Sequence, residues 1–288
     1  MADEFIFVDL NKERRSKEIE LAFPDWRPGD ERVLIISPHD DDAILGAGVV
    51  WQAVQANGGE VLVAIVCDGS AGYSTPEEKD TIVETRRAET VKAYGALGLG
   101  QSAVTRFDVP DFSGLPYVGY RLPGGVIGTF GQSMPLMRQR KITRLVVPNG
   151  YREHIDHEAA FRIGAYDGPQ VGDRVIAEWG WSEPVRSLLQ YAVWGDFDPE
   201  DAVITGRPTN LRGDLLVLCN DAVTERINRA LRQWASQQLI IEGLLAARAE
   251  RSLGPWFMEA YLRFDPRPTL KYGPYRKLAA QLLGVAEA

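Results

Sequence analysis

The chain has 288 residues, with 32 Lys and Arg against 40 Asp and Glu for a formal charge of −8, and it is 45% hydrophobic and 25% charged. This is the make-up of an ordinary globular protein, and it excludes the disordered and fibrous classes. The acidic balance without a basic run argues against a nucleic-acid partner, and no apolar run approaches the ~18–20 residues that span a bilayer.

Residues 1–30 are polar and end in Pro24, Trp26 and Pro28, which predicts a helical or irregular arm. Val33-Leu34-Ile35-Ile36 is a continuous apolar run, the pattern of a strand buried on both faces of a parallel sheet. Residues 42–56 carry Ile44, Leu45, Val49, Ala53 and Val54 at helical spacing, and Asn57-Gly58-Gly59 stops that helix. Residues 61–66 read as a second buried strand, which completes a βαβ unit and ends at Cys67, a small buried apolar residue in this reading. The alternation continues with a helix over 80–97, a short strand over 104–107, a helix over 130–141 and a strand over 145–147. Between them, residues 108–131 are rich in Gly and Pro and form either a wall over a pocket or a surface loop. Beyond residue 170 the pattern loosens: strands are expected over 188–194 and 215–218, then a long helix over 224–251 ended by Gly254-Pro255.

Strands alternating with helices imply an α/β fold of Rossmann-like, doubly wound type, with a mostly parallel sheet and an irregular C-terminal extension. A single domain over 1–288 is expected, its core at 31–170 and its extension at 171–288. Two cysteines, Cys67 and Cys219, and an N-terminus without a signal-peptide pattern place the expected location in the cytoplasm. The oligomeric state is left open, a homo-oligomer included.

In such sheets ligands bind beyond the carboxyl ends of the strands, and all three histidines fall there. His39 stands in Ser37-Pro38-His39-Asp40-Asp41-Asp42, just after the first buried strand. Three successive carboxylates beside an imidazole repel one another unless a cation neutralises them, and imidazole with carboxylate suits zinc. The aspartates would equally cap the following helix. His154 and His157 lie in Tyr151-Arg152-Glu153-His154-Ile155-Asp156-His157, spaced three apart so that a helix or turn shows both on one face, with Asp156 free to orient a ring. Gly46-Ala47-Gly48 supports a competing reading, a nucleotide- or sugar-binding protein holding a phosphate at the helix start. A metal-dependent phosphoester hydrolase is the other competitor.

Pro38-His39-Asp40-Asp41-Asp42, followed by Ile44-Leu45-Gly46-Ala47-Gly48 and later by His154-Ile155-Asp156-His157, resembles the PIG-L/LmbE-like zinc-dependent N-deacetylases. Arg86-Arg87-Ala88-Glu89, Val109-Pro110-Asp111 and Ser236-Gln237 extend the similarity. The family signature has proline at the place of Asp40 and commonly glutamate at that of Ala43. The resemblance implies an amidohydrolase that removes an acetyl group from an N-acetylated amino sugar or glycoside, with one Zn2+ per chain held by His39, Asp42 and His157. It further implies Asp41 as general base, His154 as the group facing the tetrahedral intermediate, Asp156 as the orienter of a histidine, and Arg86, Arg87 and Asp111 as substrate contacts. In some relatives a tyrosine two places before the first histidine of the second motif helps the oxyanion; here Arg152 stands there and Tyr151 precedes it. Trp179, Trp181, Tyr191 and Trp194 are candidate stacking surfaces for a sugar.

Overall fold

A computed structural model describes residues 2–265, 267 and 269–286. The chain opens with β1 (Phe5–Asp9) and β2 (Arg14–Ser16), then enters β3 (Arg32–Ser37), α1 (Asp42–Ala56), β4 (Glu60–Cys67), α2 (Ile82–Ala96) and β5 (Val104–Val109). It continues through α3 (Phe130–Gln139), β6 (Arg144–Pro148), α4 (Ile155–Arg162), β7 (Ser187–Tyr191) and α5 (Pro199–Ile204). Last come β8 (Leu215–Asn220), α6 (Asp221–Leu231), α7 (Gln238–Arg248), β9 (Ser252–Leu253), β10 (Trp256–Phe264) and α8 (Gly273–Leu283).

Ten strands form one sheet in the order β2-β1-β8-β10-β7-β6-β3-β4-β5, with β9 paired to β10. β7, β6, β3, β4 and β5 run parallel. β10, β8, β1 and β2 extend the sheet antiparallel to its neighbours. The sheet is therefore mixed, which corrects the expectation of a doubly wound, mostly parallel sheet. Two segments cause the difference. The expected N-terminal arm is instead a hairpin whose Phe5 and Phe7 point into the core while β1 pairs with β8. Residues 256–264 insert as β10 between β7 and β8, so the C-terminal third supplies central strands.

Helices cover both faces. One core gathers Trp51, Tyr94, Trp234 and Ile227 around α1, α2 and α6, and the other packs Met134, Met137 and Ala160 of α3 and α4 on Leu34, Ile36 and Val147. The helix expected over 224–251 is broken between α6 and α7. Buried Trp234 donates from Nε1 to Thr90 Oγ1 (3.3 Å), and Ser236 bonds to Glu89 through both N and Oγ (2.9 and 2.7 Å), so tertiary anchors interrupt the run at 232–237, where there is no glycine or proline.

Helix α1 has a break of its own at Ala47 (φ −127°, ψ 15°). Its freed groups find partners on the C-terminal elements: Val49 N donates to Glu259 Oε2 (2.9 Å), Val50 N to Tyr261 Oη (3.3 Å), and Arg248 donates to Leu45 O while pairing with Glu259 (3.0 Å). A Cβ on Gly46 would come within 2.2 Å of the Tyr191 ring, and one on Gly48 within 3.3 Å of Ile227. Both glycines thus serve close packing, and Gly46-Ala47-Gly48 has no open face for a phosphate.

Candidate active site

The carboxyl ends of β3, β4, β5, β6 and β7 deliver the loops that build a cleft of about 190 Å3, lined by His39, Asp41, Asp42, Arg86, Asp111, Phe112, His154, Trp194, Gln237 and others. The three expected metal ligands converge at its base. Asp42 Oδ2 lies 3.0 Å from His39 Nδ1 and 3.2 Å from His157 Nε2, and the three residues each offer a ligand atom within 4.8 Å of the others. His157 Nε2 is buried without a hydrogen-bond partner.

Why Asp42 is free to point inward follows from local chemistry. Ser37 Oγ accepts from Ala43 N (3.0 Å) and so satisfies a first-turn amide of α1, and Asp41, at the cap position, makes no cap bond. The aspartates are therefore not used for capping. Nor do all three need one cation. Asp40 is fully buried between Thr90 Oγ1 (2.6 Å), Arg106 and Arg86 (3.3 Å), and Arg86 also reaches Asp41 at 3.6 Å. Only Asp42 sits between the histidines, so the mutual repulsion inferred from the sequence is relieved by two arginines for Asp40 and eased by one for Asp41.

A second group of possible ligands, His39, Cys67, Asp111 and Asp156, shares His39. It is the poorer donor set. Asp111 spends its oxygens on the amides of Gly69 and Ala71 (2.9 and 3.0 Å), Asp156 on those of Phe112 and Gly114 (2.7 and 2.9 Å), and burial with the charge of Asp156 pushes the Cys67 thiol far up.

Charges divide the site into roles. Burial opposes protonation of His39, yet hydrogen bonds to Asp156 and Asp42 push its pKa up to about 10; for His157 burial is likewise overcome by Asp42 and Glu153, to about 9. Burial acts against ionisation of Asp42 too, but the His157 charge holds it well below the usual carboxylate range. Asp41 moves the other way, raised by burial and then by the charge of Asp42. His154 is lowered by burial and by the charge of His39. It stands at the N-cap of α4, where Nδ1 accepts from Asp156 N (3.2 Å); a backbone amide can only donate, so neutral His154 carries its proton on Nε2.

Asp156 lies against His39 (3.4 Å) and His154 (3.6 Å) and does not meet His157. The carboxylate on His157 is Glu153, a residue to which the sequence reading assigned no part. Of the expected substrate contacts, Arg86 and Asp111 line the cleft, but Arg87 pairs with Glu84 (3.3 Å) and Asp108 (2.9 Å) on the outer face of α2 and is not brought to the site. Neither Tyr151 nor Arg152 lines the cleft; the Arg152 guanidinium lies over the Tyr151 ring. Trp194 does line it, 48% exposed, opposite Phe112 at 64%. Tyr191 is core, while Trp179 packs with Tyr120 and Phe130 and Trp181 lies beside Arg174, away from the histidines. Gln237, from the break before α7, donates to Gly72 O (2.6 Å) at the rim, so the Arg86-to-Glu89 and Ser236-Gln237 segments meet.

A cleft at the strand ends of an α/β sheet thus brings an imidazole–carboxylate donor set, of a kind that could hold a metal ion, beside a separate carboxylate and imidazole. Residues 34–165 match the PIG-L family model, described as GlcNAc-PI de-N-acetylase. Among solved structures the fold is similar to N,N'-diacetylchitobiose deacetylase from Pyrococcus horikoshii (14% identity, 82% of this chain and 84% of that chain, TM-score 0.61). It is also similar to 4-carboxy-2-hydroxymuconate hydratase from Pseudomonas putida (15%, 84% and 99%, 0.58) and to a deacetylase triple mutant of the teicoplanin biosynthetic pathway (18%, 81% and 99%, 0.54). These likenesses establish the fold, which evidently carries more than one chemistry. No curated protein sequence matches the chain. Among the described residues no helix is long and apolar enough to cross a membrane.

Proposed function

We propose that this protein is a metal-dependent amidohydrolase that removes an acetyl group from an N-acetylated amino sugar or glycoside, acting as one domain over residues 1–288. The observation that carries the reading is the convergence of His39 and His157 on one carboxylate oxygen of Asp42, beside Asp41 and His154 of the same cleft. The family description, which names removal of an N-acetyl group from an amino sugar, supports it.

The residues fit a zinc ion: two imidazoles and a carboxylate leave a coordination position open, and buried His157 Nε2, which makes no well-formed hydrogen bond, faces Asp42 Oδ2 where a cation could replace its proton. In this reading His39, Asp42 and His157 hold one zinc per chain, which supplies Lewis acidity and lowers the pKa of water to about 7. Asp41, whose pKa burial and the charge of Asp42 raise and the nearby Arg86 opposes, takes the proton of the attacking water and returns it to the departing amine. His154 donates from Nε2 to the substrate carbonyl oxygen as charge develops there. Asp156 orients His39, and Arg86, Asp111 and the exposed rings of Phe112 and Trp194 receive the sugar.

Metal content and acetate release from a panel of N-acetylated sugars test these roles together. Asp41→Ala is expected to retain about one zinc per chain while turnover falls by about 10²–10⁴-fold, whereas His157→Ala loses both. The reverse pattern would exchange the roles. Phosphoester hydrolysis with no acetate release from any sugar would replace the reading altogether.

A further inference from the structure

The two walls of the cleft are built alike. On one, Asp156 faces His39 and collects the amides of Phe112 and Gly114 from the loop after β5. On the other, Glu153 faces His157 and collects the loop after β7. Its side chain is wholly buried; Oε2 lies 2.8 Å from His157 Nδ1, and Oε1 accepts from three successive amides, Val193 (2.9 Å), Trp194 (3.1 Å) and Gly195 (2.7 Å). A Cβ on Gly195 would stand 2.7 Å from Glu153 Cγ and 3.1 Å from Oε1, so glycine there permits the close approach. The Trp194 ring lies 4.8 Å from the His157 ring, closing the triangle of imidazole, carboxylate and loop.

A buried carboxylate satisfied by three amides and an imidazole is costly to disturb, because each donor would be left unpaired in a dry site. Glutamate can only accept here, so His157 carries a proton on Nδ1 and turns Nε2 toward Asp42. We infer that Glu153 is a positioning residue that fixes His157 for metal binding and at the same time clamps the 193–195 loop, so that occupancy of the metal position and the order of the Trp194 wall depend on each other. The inference rests on the metal-binding part of the proposed function and extends it to a residue outside the two histidine motifs.

Zinc affinity, measured without substrate by competition with a chromophoric chelator, tests it on wild type, Glu153→Gln and Gly195→Ala, with urea unfolding of the metal-free proteins as a check on folding. Glu153→Gln should bind zinc about 10–100-fold more weakly than wild type. Gly195→Ala, which leaves both His157 and Glu153 in place but forces them apart from the loop, should weaken binding in the same direction. In protein labelled with 5-fluorotryptophan, the 19F resonance that Trp194→Phe removes should shift or broaden in both variants. Folded variants that bind zinc within twofold of wild type and leave the Trp194 resonance unchanged would overturn the inference while the metal reading stands. If Glu153→Gln does not fold, Gly195→Ala decides between the same two results. A folded wild type that takes up no zinc would remove both.

Discussion

Asp167 shows how one buried carboxylate away from the site sets a measurable dependence on pH. It is almost wholly buried and accepts from Ser133 Oγ (2.6 Å); burial raises its pKa to about 7, against the smaller opposing effect of that bond. A carboxyl whose folded pKa lies above its unfolded value binds more protons when folded, so its contribution to stability is fullest below about 4 and declines as pH rises toward and through about 7. Asp167→Asn should therefore become progressively more stable relative to wild type between pH 4 and 8, by at most about 4 kcal/mol across that window, as read from urea unfolding. A difference that does not vary with pH would place the origin elsewhere. At this scale the sequence was informative where chemistry is dense and silent where it depends on a distant partner. His39, His154 and His157 could be singled out because scarce histidines beside carboxylates fell at strand ends, whereas the choice of Asp42 among the aspartates came from the family resemblance alone. The division among Asp40, Asp41 and Asp42 could not, since it is made by Arg86, Arg106 and Ser37. Glu153 was equally hidden: beside a histidine motif it reads as one more surface charge, and its use appears only when residues 193–195 fold onto it.

Among the elements, α1 carries the consequence. It begins with Asp42 and is pinned at its Ala47 break by Glu259, Tyr261 and Arg248, so the geometry of the helix that carries Asp42 is partly set by β10 and α7. Removing one partner of the buried Arg248–Glu259 pair leaves an uncompensated charge, and Glu259→Ala should cost about 3–5 kcal/mol in urea unfolding. A loss below about 1 kcal/mol would mean that the break sustains itself. The parallel strands β3, β4 and β6 were legible as apolar runs, and α1 spans the residues its periodicity predicted. β10 was missed because Glu259 occupies an inward position in Trp256–Phe264 and spoils the alternation that marks a strand. The break between α6 and α7 was missed for the opposite reason: periodicity runs on through a segment that Trp234, Ser236 and Gln237 tie to other parts of the molecule.

For the molecule as a whole, the mixed sheet means that the C-terminal third is structural for the cleft rather than an appendage to it. β10 lies between β7 and β8, whereas α8 buries none of its residues. Ending the chain after residue 269 should leave a single cooperative unfolding transition, while ending it after Leu253 should yield none, because the sheet loses an interior strand. A stable product of the shorter chain would show that the parallel half folds without its antiparallel partner. The central claim is that this scaffold holds a metal ion in order to hydrolyse an N-acetyl group. Its most direct test is acetate release from N-acetylated amino sugars by the full-length protein, first stripped with a chelator and then titrated with zinc. The account predicts that release stops on stripping and returns to a plateau at about one zinc per chain; undiminished release from the metal-free protein would contradict it.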